Sequence, residues 1–284
     1  MEPRYIDIHA HTQFPAYDAD RELVMKRAQD AGIWMINVGT AIETSKSAVV
    51  LAETKGDGVF ATVGMHPSRV APSFFDSNEF RKGEKAVVSG DSGMMAPAEV
   101  FDYGEYKKLA LHPKTVAIGE CGLDFFRNGR DTEKEQTELF AQHIALANEV
   151  GKPLMLHIRN AYKEALALLK SSPLAVRGNV HFFAGSLDDA RDFLDLGFTL
   201  SFTGVITFAR NYDEIIRFAP LTSIMSETDS PDVSPVPMRG RRNEPLFVRE
   251  VAKEIARIRN GDVETVQNTL VSNAKDFFSL ASFR

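Results

Sequence analysis

Short apolar or β-branched runs recur along the whole chain, at residues 5–9, 33–38, 59–65, 115–120, 153–157, 179–183, 198–202 and 223–227. Each is followed by a stretch with helical spacing of its apolar positions. This alternation is the pattern of βαβ units built around a parallel sheet. Eight such strands with helices between them predict a closed TIM (β/α)8 barrel of α/β class, rather than an open doubly wound sheet.

The helical stretches carry their own punctuation. In residues 131–150 the pair Thr132 and Glu135 has capping-box spacing, Leu139, His143, Leu146 and Val150 share one face, and Gly151 and Pro153 stop the run. Residues 245–257 read as the eighth barrel helix and 263–278 as a closing pair of helical turns. One segment breaks the rhythm. Residues 68–104 form an insertion between the third and fourth strands, rich in glycine and proline, and 85–95 are expected to make a hairpin about Gly90-Asp91-Ser92-Gly93.

Composition narrows the class. At 284 residues, 44% hydrophobic and 25% charged, the chain can bury one full barrel core, so residues 1–284 are expected to form a single domain. No run reaches the length of a membrane helix, and the start of the chain lacks the apolar region of a secretory signal. Cys121 is the only cysteine, which fits a reducing compartment. The expectation is a cytoplasmic protein, off the membrane, and monomeric. A net charge of −6 argues against coating nucleic acid with a basic surface, but leaves phosphate esters open as substrates, because bound cations would supply local positive charge.

The chemistry sits at the strand ends. His9 and His11 end the first run, Glu120 the fourth and His157 the fifth; His181 lies in the sixth, and Asp229 follows the eighth. In a parallel barrel these ends share the face that carries catalytic groups. Residues two apart on a strand project to the same side, so His9 and His11 can grip one ion. Asp7 has the same parity and is expected to orient an imidazole. Imidazole and carboxylate donors suit divalent ions such as Zn, Mn or Mg, and two ions suit this donor set better than one. A carboxylate such as Glu120 can bridge a pair. Taken singly, each histidine is about as often a hydrogen-bonded core residue as a ligand; joint placement separates these from His112, at the opposite face, and His143, within a helix. His66 closes the third strand without a paired ligand, and a substrate contact is expected of it.

Several of these residues lie in motifs: Asp7-Ile8-His9-Ala10-His11, Gly64-Met65-His66-Pro67, Ile118-Gly119-Glu120-Cys121-Gly122-Leu123-Asp124, Leu156-His157-Ile158-Arg159, Val180-His181-Phe182-Phe183-Ala184-Gly185-Ser186, Glu227-Thr228-Asp229-Ser230-Pro231 and Arg239-Gly240-Arg241-Arg242-Asn243-Glu244-Pro245. Together they resemble the TatD-related metal-dependent deoxyribonucleases, from the first strand to the last helices and outside the insertion. The resemblance implies one metal at His9, His11, Glu120 and Asp229, a second at Glu120, His157 and His181, and a 3′ to 5′ exonuclease acting on DNA. Phe182 and Ala184 stand where that family usually has cysteine and serine, and Asp232 where an aromatic is common.

The reaction expected is attack by a metal-activated water, with Asp229 orienting or deprotonating it and Glu120 bridging the ions. Arg159 and Arg239 are the expected phosphate contacts. Two other readings use the same residues. A small-molecule amidohydrolase or lactonase would share the barrel and the water, although Glu120 stands where many such enzymes carry a modified lysine. A non-catalytic metal-binding scaffold would keep the ligands without the reaction.

Overall fold

The runs of Ile, Val, Met and Phe become strands because their side chains are buried on both faces, as the strands of a helix-covered parallel sheet must be. The computed structural model describes residues 2–76, 78, 87–89 and 93–280. It begins with β1 (Tyr5–Ala10), α1 (Arg21–Asp30), β2 (Ile33–Val38), α2 (Ile42–Lys55) and β3 (Val59–Val63). An excursion follows through β4 (Ser73–Asp76), β5 (Val87–Ser89), β6 (Gly93–Ala96) and α3 (Tyr103–Ala110). The alternation then resumes with β7 (Thr115–Asp124), α4 (Glu133–Val150), β8 (Leu154–Arg159), α5 (Tyr162–Ser171), β9 (Gly178–Val180), α6 (Leu187–Asp195), β10 (Thr199–Phe202), α7 (Asp213–Phe218) and β11 (Ile224–Ser226). Last come α8 (Val248–Arg259) and α9 (Val263–Phe277).

Among the described residues the main sheet has eight strands in the order β1-β2-β3-β7-β8-β9-β10-β11, and its pairings are parallel. A parallel bridge from Ala10 to Ser230 brings its two edges together, so the sheet is a nearly closed barrel. The expected TIM architecture is therefore present. No helix among the described residues is long and apolar enough to cross a membrane.

The helices bury one stripe each. In α8 Val248, Val251, Ala252, Ile255, Ala256 and Ile258 are buried at three- and four-residue intervals, the spacing of an amphipathic helix on a barrel. In α4 the expected face holds for Leu139, His143 and Leu146, and Gly151 ends the helix in the left-handed conformation. The predicted capping box does not form. Thr132 makes no cap bond; its Oγ1 accepts from Gln136 Nε2 at 2.9 Å instead. The expected closing pair of helical turns is one continuous helix, α9, and its end explains why: Phe277, Phe278 and Leu280 pack against Ile6, Phe60, Val116 and Met155. Each of those four is the second residue of its strand, so α9 seals the N-terminal side of the barrel.

The insertion has strand structure. β5 and β6 pair antiparallel with Ser89 opposite Gly93, so the expected hairpin is present, and β4 adds a third strand along β6. Residues 85, 86 and 90–92, which include most of the proposed turn, lie outside the described residues.

Candidate metal centre

Three departures from regular strand geometry build the site. The first is in β7, which runs to Asp124 rather than ending at Glu120 and shifts register against β8 between Ile118 and Cys121. A bulge of this kind re-aims a side chain, here that of Glu120. Glycine is required on both sides of it. Gly119 (φ +146°) and Gly122 (φ +136°) each pass so close to β8 that an added Cβ would sit 2.2 Å from the carbonyl oxygens of Met155 and His157, respectively.

The second departure is the seam between β1 and the segment after β11. Asp229 N–H donates to His9 O and His11 N–H to Ser230 O, both at 2.8 Å, which sets His9, His11 and Asp229 side by side. Asp229 holds φ +55°, a region that non-glycine residues rarely enter. The third is at the end of β9. That strand stops at Val180, so His181 lies just past it rather than inside it, and the next residue, Phe182, has φ +44°. Non-glycine residues in this region cluster at functional sites, where surrounding bonds hold them. For Phe182 one such bond is its N–H to Glu227 Oε1, at 2.7 Å.

These features bring all six sequence-predicted ligands into one cluster. His9 Nε2 and His11 Nε2 are 3.2 Å apart, and Asp229 Oδ1 lies 3.7 and 3.5 Å from them. Glu120 Oε2 is 3.5 Å from His9 Nε2. The other oxygen, Oε1, is 2.8 Å from His157 Nδ1 and 3.0 Å from His181 Nε2. Donor atoms of His9, His11 and Glu120, and of Glu120, His157 and His181, form two groups with all members within 4.8 Å of one another. Glu120 belongs to both.

The ring tautomers follow from the outer partners. His11 Nδ1–H donates to Val38 O at 2.8 Å, leaving the Nε2 lone pair facing the cluster. His157 Nε2 lies 3.0 Å from Asp124 Oδ2, and His181 Nδ1 lies 3.4 Å from Glu227 Oε1. Such carboxylates orient metal-binding imidazoles and raise their basicity. Asp124 and Glu227 were not singled out by sequence reasoning. Asp124 shares strand parity with Glu120, a signal that could be used only if the strand were known to continue past Glu120. Asp7, expected to orient an imidazole, instead accepts from the backbone N–H of His9 at 3.3 Å and of Thr228 at 2.9 Å, bracing the seam.

His66 has the opposite polarity. Its Nδ1 accepts from Ser68 N–H at 3.2 Å, so the neutral ring carries its proton on Nε2, which points toward Glu120 Oε1 at 3.7 Å. Burial and the neighbouring His157 charge hold its pKa well below the usual histidine range. His66 therefore offers the site a hydrogen-bond donor rather than a metal-binding lone pair.

The electrostatics fit a cation. Burial works to raise the Glu120 carboxyl, but the His181 charge and the bonds from His157 and His181 outweigh it and hold Glu120 well below the usual carboxylate range. Burial likewise opposes charge on His11, His157 and His181, yet the carboxylates beside them leave all three raised. The cluster thus draws protons onto buried imidazoles at the place where a divalent ion would put its charge. Ion binding there would release them.

A cavity of about 530 Å³ opens over the cluster, lined by His11, Glu120, His157, His181 and Asp229, with His66, Arg127, Arg159, Tyr162, Phe182, Tyr212, Asp232 and, from the insertion, Asn78. Arg159 lines it with its guanidinium 3.7 Å from the centre of the Phe126 ring. Arg239 is not brought there. It is exposed and lies over the Phe208 ring at 3.8 Å. His143 is buried in the helical layer, with Nδ1–H donating to Leu139 O and Nε2 accepting from Met65 N–H. Its role is structural, as is that of His112, whose Nδ1 accepts from Lys114 N–H.

The chain is similar to known proteins along nearly its whole length. The chain matches the family described as TatD related DNase over residues 6–279. It is 33% identical over 280 residues to an uncharacterized metal-dependent hydrolase, YabD, of Bacillus subtilis, covering 96% of this chain and 98% of that protein. It is 32% identical over 286 residues to the 3′-5′ ssDNA/RNA exonuclease TatD of Edwardsiella piscicida, covering 97% of this chain and all (100%) of that one. The crystal structure of YjjV, a TatD homologue from Escherichia coli, superposes with a TM-score of 0.81 at 28% identity, over 98% of this chain and 99% of that one. The chain belongs to the TatD-related DNase family and is a metal-dependent hydrolase.

Proposed function

We propose that this protein is a 3′ to 5′ exonuclease that cleaves phosphodiester bonds of DNA with the help of two divalent ions, Mg, Mn or Zn. The observation that carries the reading is the split of Glu120, with Oε2 turned to His9 and Oε1 to His157 and His181. A carboxylate shared in this way suits a bridge between two ions, one also held by His9, His11 and Asp229, the other by His157 and His181. Bound there, such ions supply a water that ionises near neutral pH and positive charge for the phosphoryl oxygens.

The chain's own groups have separable tasks. Asp229 lies beside both His9 and His11; burial works to raise its carboxyl, but the His11 hydrogen bond and the charges of His9, His181 and His11 together hold it low, so it is ionised and placed to accept the proton of the attacking water. His66 donates from Nε2 to a non-bridging phosphate oxygen. Arg159, layered on Phe126, offers the remaining edge of its guanidinium to the strand. Arg239 is too exposed to act inside the cavity and is assigned at most to the strand beyond it.

The deciding experiment is hydrolysis by the metal-reconstituted protein of 3′- and 5′-end-labelled oligonucleotides, run beside a panel of lactones and dihydroorotate-like amides. Stepwise release of mononucleotides from the 3′ end is the expected result. Turnover confined to lactones or cyclic amides would reject the nuclease reading, and turnover of neither would favour a metal-binding scaffold.

A further inference from the structure

Left-handed backbone is concentrated at the cavity. Among the described residues, six other than glycine have positive φ, and four of them, Asn160 (+56°), Phe182 (+44°), Asp229 (+55°) and Val233 (+54°), line it. The other two, Asn260 and Ser279, lie at the C-terminal ends of α8 and α9, where this conformation is ordinary. Asn and Asp enter the region readily, whereas a bulky or β-branched side chain does so only when its surroundings hold it there. Phe182 and Val233 are held. The Val233 carbonyl oxygen is packed against Gly204, where an added Cβ would stand 2.5 Å from it.

The bonds around Phe182 tie it to the metal centre. Its N–H donates to Glu227 Oε1 at 2.7 Å, and the same oxygen lies 3.4 Å from Nδ1 of His181. Glu227 is fully buried, and its other oxygen accepts from Ser201 Oγ at 2.7 Å. Further along the loop, Phe183 N–H donates to Ser201 O at 3.0 Å and Ala184 N–H to Tyr162 Oη at 2.9 Å. One buried carboxylate thus fixes both a proposed metal-binding imidazole and the backbone that carries the Phe182 ring. The two rings are inclined at 74° with their centroids 6.4 Å apart.

Phe182, Tyr212 and Val233 follow β9, β10 and β11, three neighbouring strands, and give one side of the cavity a largely apolar wall. That wall is recessed. Tyr212 is 7% exposed and Phe182 and Val233 are half-buried, whereas Arg159 stands exposed at the rim. A nucleotide whose phosphate sits on the metal centre has one flat, apolar part to lay against such a wall, its base. An aromatic face takes any base by stacking, without reading its edge. We infer that Phe182 is the stacking surface for the terminal nucleobase of the strand, with Tyr212 and Val233 closing the wall beside it. The enzyme then selects ends that carry a base, whatever its identity, and the rest of the strand leaves past Arg159. This rests on the phosphodiester reading above and adds to it the part of the end nucleotide that is recognised.

The test compares three 5′-labelled single-stranded oligonucleotides of one sequence: one intact, one with a tetrahydrofuran abasic residue at the 3′ terminus, and one with that residue at the penultimate position. For the unmodified protein kcat/KM should fall about tenfold or more when the terminal base is missing, the scale of one base stacked on an aromatic ring, and far less when the penultimate base is missing. Phe182→Leu, which stays apolar, and Phe182→Asn, which suits the left-handed backbone, should both bring the ratio of intact to terminal abasic substrate to near one. General damage to the fold would slow all three substrates alike and leave that ratio unchanged. Independently of turnover, 2-aminopurine at the 3′ end of an oligonucleotide whose last linkage is a hydrolysis-resistant phosphorothioate should lose fluorescence on binding the unmodified protein but not either variant. Thermal melting establishes that each variant is folded. Equal cleavage of intact and terminal abasic substrates by the unmodified protein, a penalty confined to the penultimate position, or an undiminished ratio in both variants overturns the inference and leaves the nuclease reading standing. Cleavage of none of the oligonucleotides, with lactones or cyclic amides turned over, overturns both.

Discussion

Asp124 Oδ2 sits 3.0 Å from Nε2 of His157, so the nitrogen that His157 turns to Glu120 is Nδ1, at 2.8 Å. Two backbone N–H groups, from Phe126 and Arg127, hold the same carboxylate by its other oxygen. Removing its charge while keeping its shape should loosen the ring without unfolding the barrel. Asp124→Asn is expected to weaken metal binding by about 10–100-fold, the usual cost of losing such a partner. Competition against a chelator of known affinity measures it, and an unchanged affinity would remove Asp124 from the metal centre.

Glu120→Gln tests the bridge. It is nearly isosteric but removes the charge between the two groups of ligands, so hydrolysis should be lost and bound metal should fall below that of the unmodified protein. Elemental analysis after dialysis reads the second effect independently of any substrate. Full activity in this variant would exclude a bridging role.

The two arginines should behave differently. If Arg159 touches phosphate, Arg159→Ala weakens oligonucleotide binding and lowers the dependence of log affinity on log salt by about one unit. Arg239→Ala, which alters an exposed side chain over Phe208, should leave the slope for a short oligonucleotide unchanged. Binding titrations at several salt concentrations separate the two.

His143 predicts a pH dependence of stability. Burial lowers its pKa from 6.5 to about 4, because a charged imidazole has no water in the layer between α4 and the barrel. Between those values the unfolded chain binds more protons than the folded one. The stability tied to the neutral ring is therefore complete above pH 6.5 and is lost as pH falls toward 4, by up to about 3 kcal/mol. Urea unfolding at several pH values should show this slope, and His143→Gln should flatten it while lowering stability at pH 7.

Gly122→Ala should be costly for reasons of space. The new Cβ would meet the His157 carbonyl oxygen at 2.2 Å, from a backbone with φ +136°. A loss of about 2–4 kcal/mol is expected in urea unfolding, since both overpacking and backbone strain contribute. A loss below about 0.5 kcal/mol would show that β7 and β8 can move apart.

The strands and the six candidate ligands were legible because each rests on local information: a run of apolar residues, and a polar residue where the run stops. What was not legible depends on geometry between segments. Asp124 lies in β7 only because the strand continues through a bulge that apolar patterning does not mark. Asp7 has the parity of a ligand, but the seam with Thr228 claims its carboxylate. The capping box at Thr132 had the right spacing and lost to Gln136, which also bonds Asp124 across the turn. Arg239 sits in a motif with Arg242 and Asn243, yet Arg242 pairs with Asp20 and Asn243 anchors the loop, so neighbours in sequence are spread over different tasks. The part of the insertion that reaches the cavity, Asn78, has no periodic pattern to announce it.

The seam between β1 and the segment after β11 has a consequence for assembly. His9 and His11 come from the first strand and Asp229 from beyond the last, and the backbone bonds that align them are the ones that bring the sheet edges together. A chain emerging from the ribosome carries two of the proposed ligands almost at once but holds an open edge until some 220 further residues have been made, as the separation of 221 between Asp7 and Thr228 records. The contacts that join the sheet edges are thus the ones that complete the proposed ligand set, and a fragment lacking the last strand would have neither.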